Sequence, residues 1–138
     1  MQLLAYRPEY RIYLDRVHNH IVYERLEVQT LVHHMPHFLP DWQRVLAQVE
    51  PGFTMLLDVT NTLGPNLQLV PLYLRLRQLF RQAGVGVIAE VLPTNHNMGQ
   101  LSKLLNQLQF LPVYRFAERA AAAQFLASYS RPYIAAAC

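Results

Sequence analysis

Two short polar stretches hold the side chains best suited to chemistry, and each follows an apolar run. One is Asp58-Val59-Thr60-Asn61-Thr62 and the other Pro93-Thr94-Asn95-His96-Asn97. In open α/β sheets ligands settle beyond the carboxyl ends of parallel strands, where loops offer polar side chains and helix starts offer free N–H groups. If the two apolar runs are neighbouring strands, Asp58, Thr60, Asn61, Thr94, Asn95 and His96 ring one small polar site, with Thr62 on the same loop. The competing reading treats these Asn and Thr residues as turn and cap formers, because turn chemistry selects the same types.

Other candidates are thinner. His33, His34 and His37 look metal-like, since positions 33 and 37 would share a helix face at the spacing of zinc-binding helices. Pro36 spoils that geometry, and Asp41 is the nearest carboxylate, so no metal is expected. His18 and His20 flank Asn19 and are expected to face solvent. Glu90, between Ala89 and Val91, is the one carboxylate set among apolar neighbours, where burial raises the pKa of an acid. Catalysis otherwise finds no support: there is no Gly-x-Ser-x-Gly elbow, Cys-His pairing, Walker loop or Rossmann glycine pattern, and no cofactor is implied. Arg75, Arg81 and Arg77 suggest a cationic helix face, which is usually only solvated.

The elements that must position these residues can be read from periodicity. Residues 10–14 and 20–26 are rich in β-branched and aromatic types and are separated by polar residues, which describes a β-hairpin. A helix is expected from about Leu39 to Val49, with Trp42, Val45, Leu46 and Val49 at helical spacing and Glu50-Pro51-Gly52 as its stop. Residues 28–34 suit a further turn of helix, bent at Pro36. Residues 53–59 form a nearly continuous apolar run, as buried parallel strands do. Leu72, Leu76, Leu79, Phe80 and Ala83 then mark an amphipathic helix that stops at Gly84 in a left-handed cap. Residues 85–92 read as a strand, Met98 to Leu108 as a helix, 112–116 as a short strand and 118–128 as an Ala-rich helix. The order strand, strand, helix, strand, helix, strand, helix, strand, helix predicts an α/β fold whose sheet is mostly parallel after an antiparallel opening hairpin.

With that order, the chain resembles the STAS-like group, specifically the SpoIIAA-like proteins related to anti-sigma factor antagonists. The likeness rests on the opening hairpin, the Asp41-Trp42 helix start, the Pro51-Gly52-Phe53 lead into Leu56-Leu57-Asp58, and the strand 86–93 after Ala83-Gly84. It implies a STAS-like mixed sheet with helices packed on it, and a non-catalytic regulatory module that engages a protein partner or a small ligand. It also implies a phosphorylatable serine shortly after the Asp58 strand. This chain has Thr60-Asn61-Thr62-Leu63-Gly64-Pro65 there, with no Ser, so Thr60 and Thr62 stand as the hydroxyls available. The alternative is a small enzyme using Glu90 or His96 in a cleft at the strand ends.

At 138 residues, 52% apolar and 15% charged, the chain suits one domain with a real core, placed at 1–128 and followed by a tail at 129–138. No apolar run reaches the length of a membrane span, no signal peptide is read at the start, and the single Cys138 has no internal partner. The expected location is cytoplasmic. Eleven of twelve cations are Arg, spread from Arg7 to Arg131, without the dense basic stripe that nucleic acid requires. A homodimer through the Tyr-rich hairpin or the tail is the expected assembly if one forms.

Overall fold

Tyr10, Ile12 and Leu14 alternate with Arg11, Tyr13 and Asp15, and the first three are buried while the others are half-exposed. That period of two is a strand laying one face on a core. The computed structural model describes residues 1–27, 34–63, 66–94 and 96–137, with residues 96 and 130–137 as backbone only. Its elements are β1 (Gln2–Tyr6), β2 (Tyr10–Asp15), β3 (His20–Leu26), α1 (Phe38–Leu46), β4 (Thr54–Asn61), α2 (Val70–Ala83), β5 (Val87–Val91), α3 (His96–Leu108), β6 (Val113–Phe116) and α4 (Arg119–Ala137). A 3₁₀ turn, Leu67–Leu69, leads into α2.

The six strands form one mixed α/β sheet in the order β1-β2-β3-β4-β5-β6. β1, β2 and β3 pair antiparallel, whereas β3 through β6 pair parallel. The β2–β3 hairpin turns at Asn19, whose φ of 51° is the left-handed conformation that Asn tolerates. Because each parallel strand lies beside its predecessor, crossovers of one hand put α1, α2 and α3 on the same face. That face carries the larger core, with Tyr10, Ile12, Tyr23, Phe38, Trp42, Phe53, Met55, Phe80 and Ile88 among its buried members. Trp42 stacks edge-on against Phe80 at 4.9 Å and lies 5.5 Å from Tyr23, which ties α1 to α2 and the sheet. α4 covers the other face, where Ala122 and Leu126 meet Val22, Leu56, Val87, Ala89 and Val91.

Two glycines fix the turns between layers. Gly84 ends α2 at φ 85° and ψ 43°, the left-handed cap expected from the sequence. Gly86 donates its N–H to the Phe53 carbonyl at 2.8 Å, and a Cβ there would sit 2.7 Å from the Gly52 carbonyl oxygen. Only glycine allows that approach.

Several expectations change in detail. β1 has no counterpart in the sequence reading. α1 ends at Leu46 rather than Val49, with Ala47 as its C-cap. α4 continues to Ala137, through residues set apart above as a tail. The proposed extra turn over 28–34 lies outside the described residues except for His34. No helix among the described residues is long and apolar enough to cross a membrane.

Candidate functional site

Strand alternation decides which face each candidate side chain meets. Along β4, Met55, Leu57 and Val59 turn toward the helices α1 to α3, while Leu56, Asp58 and Thr60 turn toward α4. Asp58 there accepts from the Thr60 N–H at 3.1 Å and from its hydroxyl, and lies 3.3 Å from the Arg119 guanidinium, which also pairs with Glu24. Asp58 and Thr60 therefore help seat the first turn of α4. Asn61 is exposed and its carbonyl accepts from the Glu27 N–H at 2.8 Å. Thr62 turns to the opposite face from Asp58 and lines a cavity described below. Thr94 is exposed; Asn95 and the His96 side chain lie outside what is described. The two loops are neighbours, since β4 and β5 pair directly, but Asp58 and Thr60 are held away from Thr62 by the sheet itself. The sequential strand order also has no reversal, and hence no switch-point crevice of the doubly wound kind.

Thr60 is within β4, and among the described residues the next helical backbone begins at Leu67. Among the histidines, His34 and His37 are exposed and His33 is outside the described residues. No group of three His, Cys, Asp or Glu among the described residues is placed to hold a metal ion. His20 does not face solvent as expected: its Nδ1 lies 2.7 Å from the Thr54 hydroxyl, and burial lowers its pKa.

A concave feature lies under α2 and α3, on the face that carries α1 to α3. It is a partly open cavity of about 110 Å³. Its walls combine an aromatic end, with Tyr23, Phe38, Trp42, Tyr73 and Phe80, and an aliphatic side built from Leu57, Val59, Leu76, Ile88 and residues of α3. α3 packs through Leu101, Ser102 and Leu105, which are buried, and leaves Leu104 and Leu108 exposed.

Besides the two tyrosines, Arg25, Thr62, Arg77, Glu90 and Ser102 break this apolar wall. Glu90 occupies an inward position of β5 between Ile88 and Leu92, accepts a hydrogen bond from the Ser102 hydroxyl at 2.5 Å, and lies near the charges of Arg115 and Arg77. Burial pushes its carboxyl above the usual carboxylate range, and the Ser102 bond and the two cations do not cancel that effect. Arg115 completes the chain by donating its Nε–H to the Ser102 oxygen at 2.8 Å. Arg77 is not part of an exposed cationic face: it is 7% exposed, while Arg75 and Arg81 are exposed. Its guanidinium donates to the Asn106 side chain and, at 3.0 Å, to the Gln109 carbonyl. Arg25, 4% exposed, pairs with the buried Glu27 at 2.7 Å.

The cavity wall also has hydrogen-bonding capacity left over. The Nε of Arg25, the indole Nε1 of Trp42, the hydroxyl of Thr62 and the Nε of Arg77 are buried and have no partner among the described residues. All four belong to residues that line the cavity. Buried polar atoms of this kind cost about 1–3 kcal/mol each when unmet, so four around one space mark a place built for something other than close packing.

The site thus defines an α/β protein with a mixed six-stranded sheet and an amphipathic, donor-rich cavity on its helix-bearing face. No family model matches the chain, and neither the curated proteins nor the solved structures give a significant match.

Proposed function

We propose that this chain is a non-catalytic, cytoplasmic binding module of STAS-like type that takes a small ligand into the cavity beneath α2 and α3. The hairpin beside the parallel strands, the sequential order of those strands and the gathering of α1, α2 and α3 on one face support the STAS-like part of this reading. One observation carries the ligand part: four of the residues that line one largely apolar cavity carry buried polar atoms without partners among the described residues. A wall with convergent polar groups in an apolar setting is how small-molecule sites are built. The ligand displaces the site from the loop tips to the space between sheet and helices. Regulation of a partner protein would then follow from ligand occupancy, because α3 is held by few buried side chains and its outer leucines are free to meet another surface.

Native mass spectrometry on protein purified from its own cells tests this. The expected result is a retained small molecule that is lost in a cavity-filling Leu101→Phe variant and kept in Thr94→Ala. A ligand kept in Leu101→Phe and lost in Thr94→Ala would move the site to the loops and defeat the proposal.

A second reading, a small enzyme, is favoured by Glu90 alone. A carboxyl with a raised pKa beside a cavity is the usual form of a general acid. Under that reading Glu90→Gln would leave the retained molecule bound but chemically unaltered, whereas a pure binding module would hold the same molecule in both proteins.

A further inference from the structure

The charges around the cavity do not balance. Arg25 is neutralised by Glu27 in direct contact at 2.7 Å. Arg77 has only neutral acceptors in contact, the Asn106 side chain and the Gln109 carbonyl, and no ion pair of its own among the described residues. Glu90 is close enough to influence Arg77, but Arg115 bears on the same carboxyl through Ser102. Even a fully ionised Glu90 faces two cations. The hydrogen-bonding balance leans the same way, since three of the four unpartnered atoms are N–H donors and the fourth is a hydroxyl. A ligand that supplies acceptors and one negative charge satisfies both deficits. A cationic or donor-rich ligand would worsen them.

Size sets the second limit. At about 110 Å³ the cavity is smaller than the ~150 Å³ apolar cavity known to accept benzene, so the body of the ligand has roughly benzene's bulk or less. The walls outside the polar groups are aromatic and aliphatic, which calls for a hydrocarbon body.

Resting on the cavity reading above, we propose that the ligand is a short aliphatic monocarboxylate, its hydrocarbon body held among Trp42, Leu76, Ile88 and Leu105 and its carboxylate facing Arg77. No bond is made or broken in this proposal. Arg77 is a binding residue: it supplies the charge-assisted hydrogen bond that separates an acid from its amide.

Isovalerate, isovaleramide and benzene serve as probes, with amide chemical shifts of the full chain read by NMR titration. Isovalerate is expected to shift residues of β4, β5, α2 and α3 around the cavity, and to bind at least about tenfold more tightly than isovaleramide. Arg77→Met is expected to erase that preference, and Arg77→Lys, which keeps the charge, to retain part of it. The acid-to-amide comparison in the unaltered protein stands even if Arg77→Met fails to fold. If isovaleramide binds as well as isovalerate, the carboxylate assignment falls while the cavity remains a ligand site. If neither probe nor benzene shifts the cavity residues, or if their shifts persist in Leu101→Phe, the cavity reading falls with it.

Discussion

Asp41 sits in the first turn of α1, 2% exposed, and receives the Arg7 guanidinium through two hydrogen bonds of 2.9 and 3.0 Å and the Tyr10 hydroxyl at 2.7 Å. The Arg7 bonds, helped by Tyr10, hold its carboxyl below the usual carboxylate range against the opposing cost of burial. Asp41→Ala leaves a buried Tyr10 hydroxyl without its acceptor, and is expected to destabilise the protein by about 2 kcal/mol in urea unfolding. The pH dependence has a definite sign. Asp41 binds fewer protons folded than unfolded, so its contribution is complete above about pH 4 and is lost as pH falls through its depressed folded value. Glu90 acts in the opposite sense. Its folded pKa is raised, so stability is lost as pH climbs from about 4.5 toward that raised value. Glu90→Gln is therefore expected to raise the urea midpoint at pH 7 and leave it little changed at pH 4. Glu90 stands out in the sequence because a lone acid interrupts an apolar strand. Arg25 and Arg77 do not, because charged residues default to the surface. Their positions nevertheless carry a signal: Arg25 continues the inward series Ile21, Tyr23, and Arg77 follows Tyr73 by one helical turn and precedes Phe80 by another.

At the scale of elements, close backbone approach between the strand-leading turns is the least forgiving feature. Gly86→Ala would bring a methyl 2.7 Å from the Gly52 carbonyl oxygen, in a turn also fixed by the Gly52 N–H to the Gly84 carbonyl at 2.7 Å. It is expected to cost about 1–3 kcal/mol, read as a lower urea midpoint with an unchanged slope. The N-terminus of α4 is held more lightly. Arg119 is about half exposed, so its pairs with Glu24 and Asp58 are screened by solvent, and Arg119→Ala should cost less than about 1 kcal/mol by the same measurement. Most elements are legible from periodicity because their buried faces are regular. β1 escaped because Gln2–Tyr6 exposes Gln2, Leu3 and Tyr6 and shows only Ala5 fully to the core, leaving almost no alternation to detect. Residue type points to the loops after β4 and β5 but says nothing about which side of a sheet a side chain leaves from. Asp58 and Thr62 show that difference directly.

For the whole molecule, the two faces of the sheet are unequally covered. The face under α1 and α2 buries Trp42, Tyr10, Phe38, Phe53 and Phe80 almost completely, while under α4 the fully buried groups are smaller, such as Ala89, Ala122, Val87 and Val91, and the aromatic rings Phe116 and Phe125 are only partly buried. α4 should therefore open at a lower free energy than the central strands. Hydrogen exchange is expected to exhaust the amides of α4 well before those of β2 to β5, and equal protection in the two regions would contradict this. The hairpin tyrosines Tyr10 and Tyr23 belong to the core and Tyr13 is half-buried, so the exposed tyrosine on this edge of the sheet is Tyr6 of β1, outside the hairpin.

A sheet whose strands follow one another in space as they do in sequence also constrains how it can be built. Each new strand finds its partner already made, at the growing edge, and no earlier strand has to wait for a distant one. Such a protein can take shape in the direction of its synthesis, each parallel strand pairing across the helical crossover that joins it to its predecessor, a slower closure than a hairpin's. α4 alone must reach back across completed strands, since Ala122 and Leu126 pack on residues of β3, β4 and β5.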